Sequence, residues 1–147
     1  MLCIDGKPST CLMHWHRHPG MEDARFFAEC GIDLLSFIGH LPLRKEPDVA
    51  PDYSDGMGAT FRELTHEAID GLFHTLLQGN PRLLVLPRLR ITVPKWWKEE
   101  HPETLIQSYS LTRRTIERGP HVSAHCKEWR SLVAHSLEET VRYLKTR

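Results

Sequence analysis

The chain has 147 residues, 40% hydrophobic and 26% charged, an ordinary balance for one globular domain with a buried core. Nineteen Lys and Arg offset nineteen Asp and Glu with no block of like charge, so nucleic acid is not an expected partner. No apolar stretch approaches the roughly 20 residues that span a bilayer, and Met1 to Asp5 lacks the basic-then-apolar pattern of a secretory signal, so a cytoplasmic protein without membrane contact is expected.

Taken in order, Thr10 to His14 reads as a short buried strand. Pro19 suits the first turn of a helix, because its fixed φ is already helical. Met21, Ala24, Phe27 and Ala28 fall on one helical face, and Gly31 is placed to end that helix in the left-handed conformation. Ile32 to Ile38 is apolar enough for a parallel strand covered on both sides. Leu41 to Gly58, with three prolines and two glycines, reads as a long loop.

Thr60-x-x-Glu63 has the spacing of a capping box, predicting a helix with Phe61, Leu64, Ala68, Leu72 and Leu76 on its buried stripe. Gly79-Asn80-Pro81 stops it, and Leu83 to Leu86 follows as a third strand. A polar and aromatic segment leads to a last helix, Ser123 to Lys145, with Trp129, Leu132, Val133, Leu137, Val141 and Leu144 on its buried face. The four cysteines (Cys3, Cys11, Cys30 and Cys126) form no C-x-x-C pair and are expected to be reduced, buried thiols.

The expected architecture is therefore α/β, with three strands and three helices in the order β-α-β-α-β-loop-α. No G-x-G-x-x-G follows the first strand, which removes the dinucleotide-binding version of an open sheet. A full (β/α) barrel needs about 250 residues. The expectation is one domain, residues 1–147, forming an incomplete TIM-type barrel of about three βα units.

The most specific segment is Val93-Pro94-Lys95-Trp96-Trp97-Lys98-Glu99-Glu100-His101-Pro102-Glu103-Thr104-Leu105. It resembles the Pro-x-Trp-(Leu/Trp)-x-x-x-x-Pro-Glu-x-Leu signature that follows the third strand of glycoside hydrolase family 42 β-galactosidases. The likeness extends in register. Glu22-Asp23-Ala24-Arg25 through Gly31 resembles the family's first helix, and Ile38-Gly39 with Glu46-Pro47 resembles the end of its second strand. Glu67-Ala68-Ile69 into Leu83–Leu86, and Ser123 to Lys145, resemble later units. Departures fall at strand ends: Phe37 stands where the family has Arg, His40-Leu41 where it has Glu-Phe, and Arg88 and Arg90 in a stretch usually rich in Thr.

The resemblance implies retaining hydrolysis of β-galactosides by two carboxylates about 5–5.5 Å apart. The family carries them at the ends of its fourth and seventh strands, the first within an Asn-Glu pair. This sequence has no Asn-Glu, and Arg147 falls about where a fourth strand is due, so no catalytic residue is carried over and no activity is expected of the chain alone. Glu99, Glu100 and Glu103 read as a solvated patch. Trp96 and Trp97 are the candidates for stacking on a sugar ring, and Arg88, Arg90, His16 and His40 for contacting its hydroxyls. No cofactor is expected.

Two rivals compete with that reading. In His14-Trp15-His16-Arg17-His18 alternate residues share a strand face, so the imidazoles could converge on a metal as in a metal-dependent amidohydrolase barrel. Later-strand ligands are not singled out by any spacing of His40, His121 or His125, and no metal site is assigned. Alternatively, three βα units leave sheet edges open, which predicts self-association, a non-catalytic interaction protein or the remnant of a longer gene.

Overall fold

The structure is a computed structural model, and it describes residues 2–4, 6–9, 12–16, 19–44 and 63–147. It is mixed α/β and divides into two compact units, one of residues 1–39 with 66–89 and one of 40–65 with 90–147. Among the described residues, no helix is long and apolar enough to cross a membrane.

The first unit opens with a hairpin of β1 (Leu2–Ile4) and β2 (Lys7–Ser9), paired antiparallel around Gly6 at φ +74°. Its centre is a three-stranded parallel sheet in the order β3 (His14–Trp15), β4 (Leu34–His40), β5 (Leu84–Arg90). Helix α1 (Met21–Glu29) connects the first two strands, and α2 (His66–Gly79) precedes the third.

Helix α1 begins at Met21, with Gly20 as its N-cap rather than at Pro19. Asp23 accepts the Gly20 N–H at 2.8 Å and so satisfies an amide with no helical partner. Its other end matches the expectation for Gly31, whose φ is +77°. The Gly31 N–H bonds to the Ala28 carbonyl and the Ile32 N–H to the Phe27 carbonyl, which together make a Schellman closure. That closure occupies Ile32, and Asp33 accepts from the Asn80 side chain at 2.8 Å, so β4 starts at Leu34 rather than at Ile32.

Strand β5 runs through Pro87 to Arg90 instead of stopping at Leu86. Leu84 N–H bonds to the Asp33 carbonyl and the Arg90 carbonyl accepts from Leu41 N–H, so even-numbered positions of β5 face β4. Pro87 is odd-numbered, and its missing N–H points to the other edge, where none of the described strands pairs. Helix α2 starts at His66, and Leu64 lies before it, fully buried. Thr60 and Phe61 of the expected capping box lie outside the described residues.

The expected stop at Gly79 has a different physical basis. Gly79 is the last residue of α2 and lacks a left-handed φ; a Cβ there would sit 2.2 Å from the Met21 carbonyl oxygen and 3.0 Å from the Ala24 Cβ. The glycine lets α1 and α2 approach closely, and Ala24 is fully buried beneath it.

In the second unit, α3 (Lys95–Glu100) and a turn of 3-10 helix (Pro102–Thr104) lead into a hairpin of β6 (Leu105–Ser110) and β7 (Thr115–Val122), followed by α4 (Lys127–Leu144). None of the first four elements follows from hydrophobic periodicity, because the segment is mostly polar. Only the root of the hairpin, Leu105 and Val122, is buried, while Leu111 at its turn is 84% exposed.

The deepest stripe of α4 is Trp129, Ser136 and Thr140, with Leu137 turned outward. Ser136 takes the buried place because its hydroxyl donates to the Pro42 carbonyl at 2.9 Å. Cys30 is exposed and Cys126 half-buried, both free thiols, so the expectation of burial fails for these two.

The two glycines of α2 separate close packing from backbone entropy. Gly79→Ala is expected to lower stability by about 1–3 kcal/mol through overpacking against α1. Gly71→Ala meets nothing within 4 Å and should raise stability by roughly 0.5–1 kcal/mol. Urea unfolding midpoints of the two variants should move in opposite directions.

Candidate functional site

The six candidate contact residues divide between the units. His16 and Arg88 belong to the first, and His40, Arg90, Trp96 and Trp97 to the second.

In the first unit, strand alternation decides orientation. His14 pairs with Leu35 and Trp15 with Ser36, so His14 and Trp15 point to opposite faces of the sheet. His14 stacks on Phe27 of α1 with ring centroids 3.4 Å apart, which identifies its face as the helix side. His16 shares that side: its ring centre is 5.6 Å from that of His14, and its Nδ1 is 4.0 Å from Asp23 Oδ2. The two imidazoles do meet, as alternation predicts, but toward α1; His18 lies outside the described residues.

Among the described residues, no group of three or more His, Cys, Asp and Glu side chains is arranged to hold a metal ion, and none is assigned to this pair. Burial and the neighbouring His16 ring hold the His14 imidazole below its ordinary pKa of 6.5, while Asp23 offsets part of that effect.

The opposite face carries Trp15, Ser36, Leu86 and Arg88. Trp15 is 45% and Leu86 51% exposed, whereas Ser36 between them is fully buried and its hydroxyl has no hydrogen-bond partner. Arg88 is exposed on this row. Trp15 is the aromatic that the sequence reading passed over. Its position beside two histidines drew attention to the imidazoles, although the same alternation puts the indole on the face without α1.

In the second unit, the ends of β4 and β5 are fixed by backbone bonds. His40 is buried, its carbonyl accepts Leu64 N–H at 2.9 Å, and the next residue, Leu41, donates to the Arg90 carbonyl at 2.9 Å. Glu63, bridged to the His40 backbone, pairs with Arg44 at 3.1 Å in a largely buried ion pair. His40 thus sits in a packed junction, with Arg90 half-buried beside it.

Trp97 is only 4% exposed. Trp129 meets it edge-on at 5.0 Å, Trp96 edge-on at 5.4 Å, and the His101 ring lies 4.3 Å away. Its indole N–H donates to Thr104 Oγ1 at 3.1 Å, and that hydroxyl donates to the His101 carbonyl at 2.7 Å. The chain reversal after α3 is therefore tied to the indole, so Trp97 holds the unit together. Trp96 is half-buried and anchored through its N–H to the Leu43 carbonyl at 3.3 Å, which fixes the ring without covering it completely. Glu99, Glu100 and Glu103 are exposed, as expected of a solvated patch.

No known protein family, curated protein or solved structure matches the chain.

The two tryptophans should respond differently to truncation. Trp97→Ala is expected to cost about 3–5 kcal/mol, the range for removing a buried aromatic. Trp96→Ala should cost about 1 kcal/mol, chiefly one indole-to-carbonyl bond. Denaturant titration of each variant measures the difference.

Proposed function

We propose that the chain is the N-terminal part of a β-galactosidase-like (β/α)-barrel glycoside hydrolase, supplying substrate-facing side chains and not the catalytic carboxylates. The observation that carries this reading is the position of the Pro94-x-Trp96-Trp97 to Pro102-Glu103-x-Leu105 segment, which begins four residues after the third parallel strand. The resemblance places the same signature after the third strand of a barrel. Sequential parallel order β3-β4-β5, with a helix on each connection, supports it as well, although an open doubly wound half-sheet shares that order.

Under this reading Trp96 is the sugar platform, since Trp97 is enclosed by its neighbours. Its anchored indole offers a flat apolar surface that loses little freedom on binding a pyranose. Arg90, in the same unit, supplies a planar donor for sugar hydroxyls, and Arg88 carries a second guanidinium on the first unit. Bond cleavage would need an acid and a nucleophile about 5–5.5 Å apart, and the sequence contains no Asn-Glu from which to draw one.

The test joins binding to catalysis. Methyl β-galactoside is expected to shift the indole N–H resonance of Trp96 saturably, and Trp96→Ala is expected to abolish that binding. Nitrophenyl β-galactoside should remain unhydrolysed by the chain. Absence of any saturable shift would remove the sugar-binding reading, and hydrolysis would show that carboxylates of this chain suffice.

A second reading, a non-catalytic partner that self-associates, is favoured by the apolar side chains Leu86, Leu111 and Ile116, which are all more than half exposed. Light scattering across a concentration series would support it if mass grows with concentration and Leu111→Ser suppresses the growth. A constant monomer mass would dismiss it.

A further inference from the structure

We infer that the His14–His16 pair makes the seating of α1 on β3 acid-labile, with His14 as the group whose protonation releases it. The inference rests on β3 and α1 alone and stands whether or not the chain binds a sugar.

The His14 ring lies nearly flat on Phe27, with an angle of 17° between the planes. Both His14 Nδ1 and His16 Nδ1 are buried, and neither has a hydrogen-bond partner. A neutral imidazole with its proton on Nε2 leaves only a bare lone pair at Nδ1. Protonation turns that atom into a charged donor with no acceptor, which a buried site tolerates poorly. The π face of Phe27 attracts a cation, but it lies above the ring and gives the in-plane Nδ1–H nothing to bond.

Among the described residues, the titratable and charged groups facing His14 are His16 on its own strand and Asp23 on α1, while β4 presents the uncharged Leu35 as its pairing partner. The Asp23 carboxylate lies 4.0 Å from His16 Nδ1. That carboxylate also holds Gly20 N–H, so it anchors the first turn of α1 at the same time. A proton on His14 Nδ1 would find no acceptor. The seated state therefore keeps that atom unprotonated, and the proton is accommodated when α1 lifts from the strand.

The sign follows from linkage. The seated state keeps His14 below its ordinary 6.5, so the released state binds more protons as pH falls through that value. Docking is complete above 6.5 and weakens below it.

Ring resonances of His14 followed through a pH titration of the unmodified chain are expected to move with a midpoint below 6.5, and the amide signals of Met21–Glu29 should move with the same midpoint. The melting temperature should fall between about pH 7.5 and about pH 5. His14→Phe retains an aromatic ring to stack on Phe27 and cannot titrate, so it should lose most of that fall. A His14 midpoint at or above 6.5, α1 amides that ignore it, or an unchanged pH dependence in His14→Phe would each overturn the inference. If His14→Phe does not fold, the titration of the unmodified chain decides alone.

Discussion

The pairing phase of β4 is the constraint on which the first unit depends. Once Leu84 N–H meets the Asp33 carbonyl and His14 lies opposite Leu35, every side chain of the sheet is committed to one face or the other. Leu35, Phe37 and His14 go to the side of α1, whereas Trp15, Ser36 and Arg88 go to the opposite side. A slip by one residue would exchange them, burying Arg88 against helices and exposing Phe37. Two small features protect the phase. The Schellman closure at Gly31 sets where β4 can begin, and the Asn80 side chain holds Asp33, whose carbonyl accepts from Leu84 N–H at the start of β5.

The second unit is organised differently, around a hydrogen-bonded indole instead of a sheet. Trp97 lies on a helix of six residues, too short to persist without tertiary support. Packing against Trp129 brings α3 and α4 together, and the Trp97–Thr104–His101 chain of bonds satisfies polar atoms that this packing would otherwise strand. Ser136 does the same for the Pro42 carbonyl, and for that reason a polar residue lies deeper than the leucines of α4. The hairpin β6–β7 then needs only its root held, through Leu105, Val122 and the Ser123 N–H to the Thr104 carbonyl, while the rest of its length stays in water.

The sequence made the elements with strong periodicity legible. Helix α1, its stop at Gly31 and the strands around Phe37 and Val85 lie where the apolar spacings put them, as does the long last helix, although packing chose Trp129, Ser136 and Thr140 as its deepest stripe. Misplaced boundaries had local causes: Gly20 caps α1 one residue after Pro19, and Leu64 gives its N–H to the His40 carbonyl ahead of α2. The hairpin was invisible because exposed strands of Gln, Ser, Thr and Arg lack the alternation that reveals a half-buried strand. Among candidate contacts, periodicity correctly joined His14 to His16 but could not say which face they shared. Adjacent tryptophans likewise could not be ranked, because a ring's availability depends on neighbours far along the chain, here Trp129 and Leu43.

That last point bears on what such a chain can do. Under the proposed reading, Arg90 and Trp96 are recognition chemistry: a permanent planar donor and an anchored ring that select a ligand without altering its bonds. Bond-breaking needs a carboxylate whose proton affinity is raised by burial, beside a second that stays ionised. Glu99, Glu100 and Glu103 are exposed, and water around them opposes that division of roles. Glu63 is largely buried, but Arg44 at 3.1 Å commits it to an ion pair. These four carboxylates thus lack the paired environments that the proposed hydrolysis demands, whereas the guanidinium groups and the anchored indole need no such tuning. On the proposed reading, binding without turnover follows from this division of roles.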